Sequence, residues 1–221
     1  MTGLNNGCLN NVDESAPLAL NPPFYAPYTQ SKALAEKLVA EGSDDATATV
    51  IVRPRMVWGQ GDTTLLPGII EAVRSGALRW FTPPPVTSTC HVDNLSEGMV
   101  LAARSGAPGR AYFLTDGDPV DLRGFLSDYL ATQRVPTDRV GTAPARLAWC
   151  LATAVENLPF AGYGRRRRPP ASRQMLGLLA QSVVVRDARA RAELGYTAHV
   201  TRSEGLARMS PPAPAPAPAP S

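Results

Sequence analysis

The sequence predicts an α/β fold, and two local patterns carry that prediction. From Tyr28 the apolar residues Ala33, Leu34, Ala35, Leu38 and Val39 fall at spacings that suit a buried helix face. The run Thr49-Val50-Ile51-Val52 then reads as a short β-branched strand covered on both faces. A helix running into a buried strand is the α/β rhythm. Pro27 opens the helix where a first turn tolerates proline, and Gly42 with Asp44-Asp45 closes it near residue 41.

The remaining elements follow in order. A loop runs to Pro27, and a strand spans about 48–53. A loop from Gly59 to Thr64 leads into a short helix from Leu65 to Ser75, and Pro83-Pro84-Pro85 marks a stiff turn. Val86 to Val92 alternates as a strand, and Asp93 to Arg104 is helical with Asp93 or Asn94 as its cap. Ala111 to Leu114 is a strand, Leu122 to Gln133 a helix, and Val183-Val184-Val185 a further short strand in a mainly helical remainder. From Pro211 the chain alternates Pro and Ala, a pattern for an extended spacer.

The chain has 221 residues, an apolar fraction of 44% and a net charge of +3, which suits an ordinary globular chain and selects no charged partner. Cys8, Cys90 and Cys150 are odd in number, widely spaced and without a C-x-x-C, which argues against a disulfide framework or a zinc site and fits a reducing cytoplasm. His91 and His199 are the only histidines, and the reading of His91 is a packed or hydrogen-bonded side chain, not a metal ligand. Basic charge is not paired with stacking aromatics, so nucleic-acid binding is set aside. Arg165 to Arg168 is the sharpest charge cluster; it reads first as a solvated loop and second as a contact for lipid head groups, beside the apolar stretch Leu147 to Phe160.

The most informative chemistry is a pair. Only two of the 22 basic residues are lysines, Lys32 and Lys37, so a lysine here is a chemical choice. Tyr28 stands four residues before Lys32, and on a helix that spacing puts both side chains on one face. A cation beside a phenol favours the phenolate, which makes a proton donor or acceptor for a carbonyl or alcohol centre.

With these residues assembled, the chain resembles extended short-chain dehydrogenases/reductases, in the NAD-dependent epimerase/dehydratase group and closest to its 3β-hydroxysteroid dehydrogenase-like branch. The resemblance rests on Tyr28-x-x-x-Lys32, on Val52-Arg53-Pro54-Arg55-Met56-Val57-Trp58-Gly59 with Gln60-Gly61-Asp62 and Leu65-Leu66-Pro67, and on His91-Val92-Asp93-Asn94. It continues through Gly109 to Gly117, Arg191 to Tyr196 and Glu204-Gly205-Leu206, from about Val12 to Leu206. It implies Tyr28 as general acid/base, Lys32 as its helper and as a hydrogen-bond donor to the nicotinamide ribose, and Pro54 against the nicotinamide of NAD or NADP. It implies no metal. The substrate would be a small hydrophobic alcohol or ketone, with nucleotide-sugar epimerisation or dehydration, or a non-catalytic remnant, as the alternatives. A cytoplasmic location, with peripheral membrane association as an option, goes with it.

The family's Gly-rich dinucleotide turn should lie well upstream of the tyrosine, and the 27 residues before Tyr28 contain none. Nor does Thr2 or Ser15 follow an apolar strand as the family's pocket hydroxyl would. The expectation is therefore the C-terminal part of a Rossmann-like doubly wound domain at 1–115 with its first βαβ units absent, a small mostly helical substrate region at 116–208, and a disordered tail at 209–221. The strand near 49–53 should then lack a partner on one side.

Overall fold

The computed structural model describes residues 9–22, 26–44, 46–157, 176 and 179–210. The arginine run at 165–168 and the Pro/Ala alternation from Pro211 lie outside them. The elements run β1 (Leu9–Val12), α1 (Pro27–Glu41), β2 (Ile51–Pro54), β3 (Val57–Trp58), α2 (Leu65–Arg74), β4 (Trp80–Thr82) and β5 (Val86–Thr87). They continue through β6 (Cys90–His91), α3 (Val92–Ser105), β7 (Ala111–Leu114), β8 (Val120–Asp121) and α4 (Leu122–Ala131). Last come β9 (Thr142–Pro144), α5 (Ala145–Asn157), β10 (Val183–Val185), a π-helical turn (Ala190–Leu194) and α6 (Arg202–Met209).

The strand pairing is parallel except at one place. β2 pairs with β7 with Ile51 opposite Ala111 and Pro54 opposite Leu114, β3 pairs with β6, and β4 with β9. A fourth sheet has the order β1-β10-β5-β8, in which only β5 and β8 are antiparallel. Strands from either side of residue 115 therefore share sheets.

Two clusters make most of the core. Trp58, Trp80, Phe125 and Tyr129 gather with the leucines of α2 and α4, and Trp58 meets the Phe125 and Tyr129 rings edge-on at 5.3 and 5.8 Å. Tyr112 and Leu114 of β7 pack with Ala102 of α3 and with Ala190, Leu194 and Tyr196. The second is tight: a methyl group on Gly98 of α3 would lie 2.3 Å from Leu114 Cδ1, so only glycine lets α3 approach β7.

Five expectations from sequence need correcting. Residues before Pro27 are not all loop, since β1 forms by pairing with β10, a strand more than 170 residues away in sequence. The strand expected at 48–53 begins at Ile51 and ends at Pro54. Val86 to Val92 is not one strand but two dipeptide strands in different sheets, with Val92 already helical. The cap of α3 is neither Asp93 nor Asn94: His91 takes that place, its ring Nδ1 accepting from the Asp93 N–H at 3.2 Å. The apolar face of α1 is not buried. Only Thr29 and Ala33 are, while Leu34, Leu38 and Val39 are 43, 67 and 46% exposed, because no described element covers that side of the helix.

A candidate active site on helix α1

Helix α1 begins as the sequence dictates. Pro27 occupies the first turn, and the Ser31 hydroxyl donates to the Tyr28 carbonyl at 2.8 Å. One turn on, Lys32 Nζ sits 5.6 Å from the centre of the Tyr28 ring. Both side chains are exposed, so the phenol and the ammonium present themselves together to whatever approaches that face. Pro54 lies at the carboxyl end of β2, and among the described residues no hydrogen bond or ion pair joins it to Tyr28 or Lys32. In a parallel sheet the carboxyl ends of the strands are where ligands sit.

What ties α1 to that strand is an ion pair that sequence reading passed over. Arg53 Nε donates to both carboxylate oxygens of Glu36, at 3.0 and 3.2 Å, and its Nη2 donates to Glu36 Oε1 as well. The same guanidinium lies 5.4 Å from the Phe113 ring centre and donates to the Glu14 carbonyl at 3.4 Å. Glu36 is four residues after Lys32 and Arg53 directly precedes Pro54, so the pair links the helix bearing the Tyr–Lys couple to the strand bearing the proline. The neighbouring Arg55 is also buried, and burial pushes its pKa down to about 10, which still leaves it charged at neutral pH.

The loop after Gly59 is organised by Asp62. Its carboxylate accepts the N–H groups of Thr64, Leu65 and Leu66 and the Tyr129 hydroxyl at 2.8–3.0 Å. Burial works to raise this carboxyl, and the hydrogen bonds outweigh it, so its pKa lies below the ordinary aspartate value. Burial also drives the Tyr129 hydroxyl well above the ordinary phenol range. Asp116, two residues past β7, accepts from Trp58 Nε1 of β3, Thr89 Oγ1, the His91 N–H of β6 and Asn94 Nδ2 of α3 at 2.6–2.8 Å. Ser15 is committed locally, donating to Asp13 Oδ1. An apolar hollow lined by Leu78, Trp80, Phe81, Pro85, Leu122, Leu126 and Leu179 with Arg79 and Arg123 includes none of Tyr28, Lys32 or Pro54. Among the described residues, no cluster of histidine, cysteine or acidic side chains has the arrangement of a metal site, and no helix is long and apolar enough to cross a membrane.

The arrangement offers a proton donor or acceptor beside a cation on an open helix face, which suits an oxygen centre that gains or loses a proton. Comparison with known proteins finds relatives named as reductases and dehydrogenases. A 4-hydroxy-2-methyl-3-oxo-4-farnesyl-3,4-dihydroquinoline-1-oxide ketoreductase from Stigmatella aurantiaca is 44% identical over 208 residues, covering 93% of this chain and 61% of that protein. A 2-alkyl-3-oxoalkanoate reductase from Stenotrophomonas maltophilia is 33% identical, covering 84% of this chain and 58% of its own length. A 3 beta-hydroxysteroid dehydrogenase/Delta 5-->4-isomerase from Mycobacterium tuberculosis is 30% identical over 83% of this chain and 51% of its own. The chain thus spans between about half and three-fifths of the length of these relatives. In fold it is similar to a dTDP-glucose 4,6-dehydratase from Streptomyces venezuelae solved with NAD, with a TM-score of 0.61 at 19% identity over 93% of this chain and 56% of that one. That likeness supports a Rossmann-like α/β architecture. The family model matched over residues 4–138 takes in Tyr28, Lys32 and Pro54 together, and the chain belongs to the 3-beta hydroxysteroid dehydrogenase/isomerase family.

Proposed function

We propose that this chain carries the proton-handling half of an NAD(P)-dependent oxidoreductase that interconverts a ketone and an alcohol on a hydrophobic small molecule. The observation that carries the reading is the Tyr28–Lys32 couple, 5.6 Å apart and open on α1, in a chain 44% identical to a ketoreductase. Tyr28 Oη gives a proton to the substrate oxygen in reduction and takes it back in oxidation. Lys32, beside that phenol, would donate to a ribose hydroxyl of the cofactor, and Pro54 would help hold its nicotinamide. This donor set fits the nicotinamide end of the cofactor, which when bound supplies or accepts the hydride. The substrate-selecting part is the region from residue 116 to 208.

The substrate class is inferred from the relatives' names, which include a farnesyl group, an alkyl chain and a steroid. Each is a hydrocarbon-rich body. A peripheral membrane contact suits such substrates, and Leu147 and Leu151, 54 and 59% exposed beside Arg146 on α5, support it. Liposome flotation tests that contact: loss of binding in a Leu147→Ser/Leu151→Ser variant supports it, and unchanged flotation removes it.

The activity is tested by NADPH oxidation with a prenylated or alkylated ketone. Tyr28→Phe lowers kcat by about 10²- to 10⁴-fold, the range of general acid–base catalysis, while NADPH affinity holds. Retained turnover in that variant refutes the role of Tyr28. An epimerase or dehydratase regenerates its cofactor, so stoichiometric NADPH consumption separates the two reactions.

A further inference from the structure

We propose that the apolar hollow between β4 and α4 binds a single-chain amphiphile, a hydrocarbon tail ending in a carboxylate or phosphate, at a place separate from the Tyr28–Lys32 couple. This site stands independently of the oxidoreductase reading.

The walls of the hollow come from three parts of the chain. Trp80 and Phe81 of β4, with Leu78 just before it, form one wall, and Leu122 and Leu126 of α4 form another. The two leucines are one helical turn apart, so they share a face. Pro85 and Leu179 complete the lining. Leu78, Trp80, Leu122 and Leu126 are also members of the first core cluster, so these walls are part of the packed interior. Counting its open mouth, the hollow holds about 310 Å³, at the bottom of the range of about 300–1,000 Å³ for small-molecule sites. It therefore takes the end of a chain and leaves the head at the surface.

Apolar walls alone select no ligand. The selection comes from the two remaining lining residues, Arg79 and Arg123, which are both exposed, so charge stands at the mouth with hydrocarbon behind it. Among the described residues neither is paired with a carboxylate. Arg79 Nη1 donates to the Gly76 and Leu78 carbonyls, and the Arg123 guanidinium lies 5.8 Å from the Trp80 ring centre. These contacts fix the two cations without neutralising them. The acid nearest in sequence to Arg123 is Asp121, whose carboxylate accepts the N–H groups of Arg123 and Gly124. By contrast, Arg110, Arg191 and Arg208 each face a carboxylate. Two unneutralised guanidiniums beside buried hydrocarbon complement an anion that carries a tail, and the planar fork of arginine matches a carboxylate or phosphate.

The approach has the same character. β4 pairs with β9, with Trp80 opposite Thr142 and Thr82 opposite Pro144, and α5 starts at the next residue, Ala145. The exposed Arg146, Leu147 and Leu151 thus follow directly on the strand that pairs with one wall of the hollow. None of the lining comes from α1, β2 or β3, so the ligand touches neither Tyr28 nor Lys32.

Titration calorimetry of the 221-residue chain with sodium decanoate, kept below its micelle concentration, tests the site. Decanoate is expected to bind once per chain. 1-Decanol has the tail without the charge and acetate the charge without the tail, and each is expected to bind at least tenfold more weakly. Arg123→Gln weakens decanoate at least tenfold and leaves decanol unchanged. Leu179→Trp fills the hollow and weakens both. A thermal melt checks that each variant is folded, and should Leu179→Trp melt early, Arg123→Gln alone decides. Tyr28→Phe binds decanoate like the parent chain, so this site and the catalytic reading fail separately. Decanoate binding that survives Arg123→Gln overturns the proposal, as does decanol binding as tight as that of decanoate. So does a chain that binds phosphatidylglycerol vesicles but not decanoate, since the anion is then read on a surface and not in the hollow.

Discussion

Arg53 and Glu36 share a fork of hydrogen bonds 17 residues apart in sequence, with side chains only 6 and 12% exposed. The fork is the joint between α1 and β2. Removing one partner of a buried pair strands the other charge, at a cost of about 3 kcal/mol or more. Glu36→Gln is therefore expected to lower the unfolding free energy by that amount, read as a lower urea midpoint at unchanged m value. The double variant Arg53→Met/Glu36→Leu recovers part of the loss, since it strands no charge.

On the proposed reading, Lys32 serves cofactor capture as well as the phenol. Lys32→Met is expected to raise the NADPH KM about tenfold, the size of one charge-assisted hydrogen bond, and to lower kcat too. Steady-state kinetics separates it from Tyr28→Phe, which changes kcat alone.

His91 makes stability depend on pH. Burial holds its pKa below the ordinary histidine value of 6.5. As an N-cap its Nδ1 must accept, which only the neutral ring does. Below pH 6.5 the unfolded chain takes up a proton that the folded ring refuses, so stability falls as pH drops from that value toward the folded pKa. Melting temperature is expected to decline across that interval. His91→Asn keeps a cap oxygen and flattens that decline.

Gly205 of α6 sits where a side chain does not fit. A Cβ there would lie 2.7 Å from both His91 Cδ2 and Trp58 Cη2, inside the first core cluster. Gly205→Ala is expected to cost about 1–3 kcal/mol by calorimetry despite better helix propensity. A neutral or stabilising result would show that the Trp58–His91 contact yields.

Local patterns were legible in the sequence where a local cause sets them. Pro27 and Gly42 bracket α1, and the apolar runs at Ala111 and Val183 are strands at the residues read. The Tyr28–Lys32 juxtaposition follows from helical period alone. Long-range pairing was not legible. Leu9-Asn10-Asn11-Val12 has no strand pattern and is one only because β10 lies beside it. Nor does spacing reveal that Glu36 meets Arg53, or that Asp116 collects four donors, one from β3 and three from residues 89–94. The α1 face misled for another reason: apolar spacing announces that a face wants cover, not which element supplies it.

Because Glu14 and Arg189 seal one margin of the β2–β7 ribbon, backbone recruitment at this ribbon can proceed from a single side. Two molecules meeting there satisfy each other and stop, whereas a ribbon open on both margins would recruit a third and a fourth. At high concentration this ribbon is expected to yield discrete pairs, not growing fibrils.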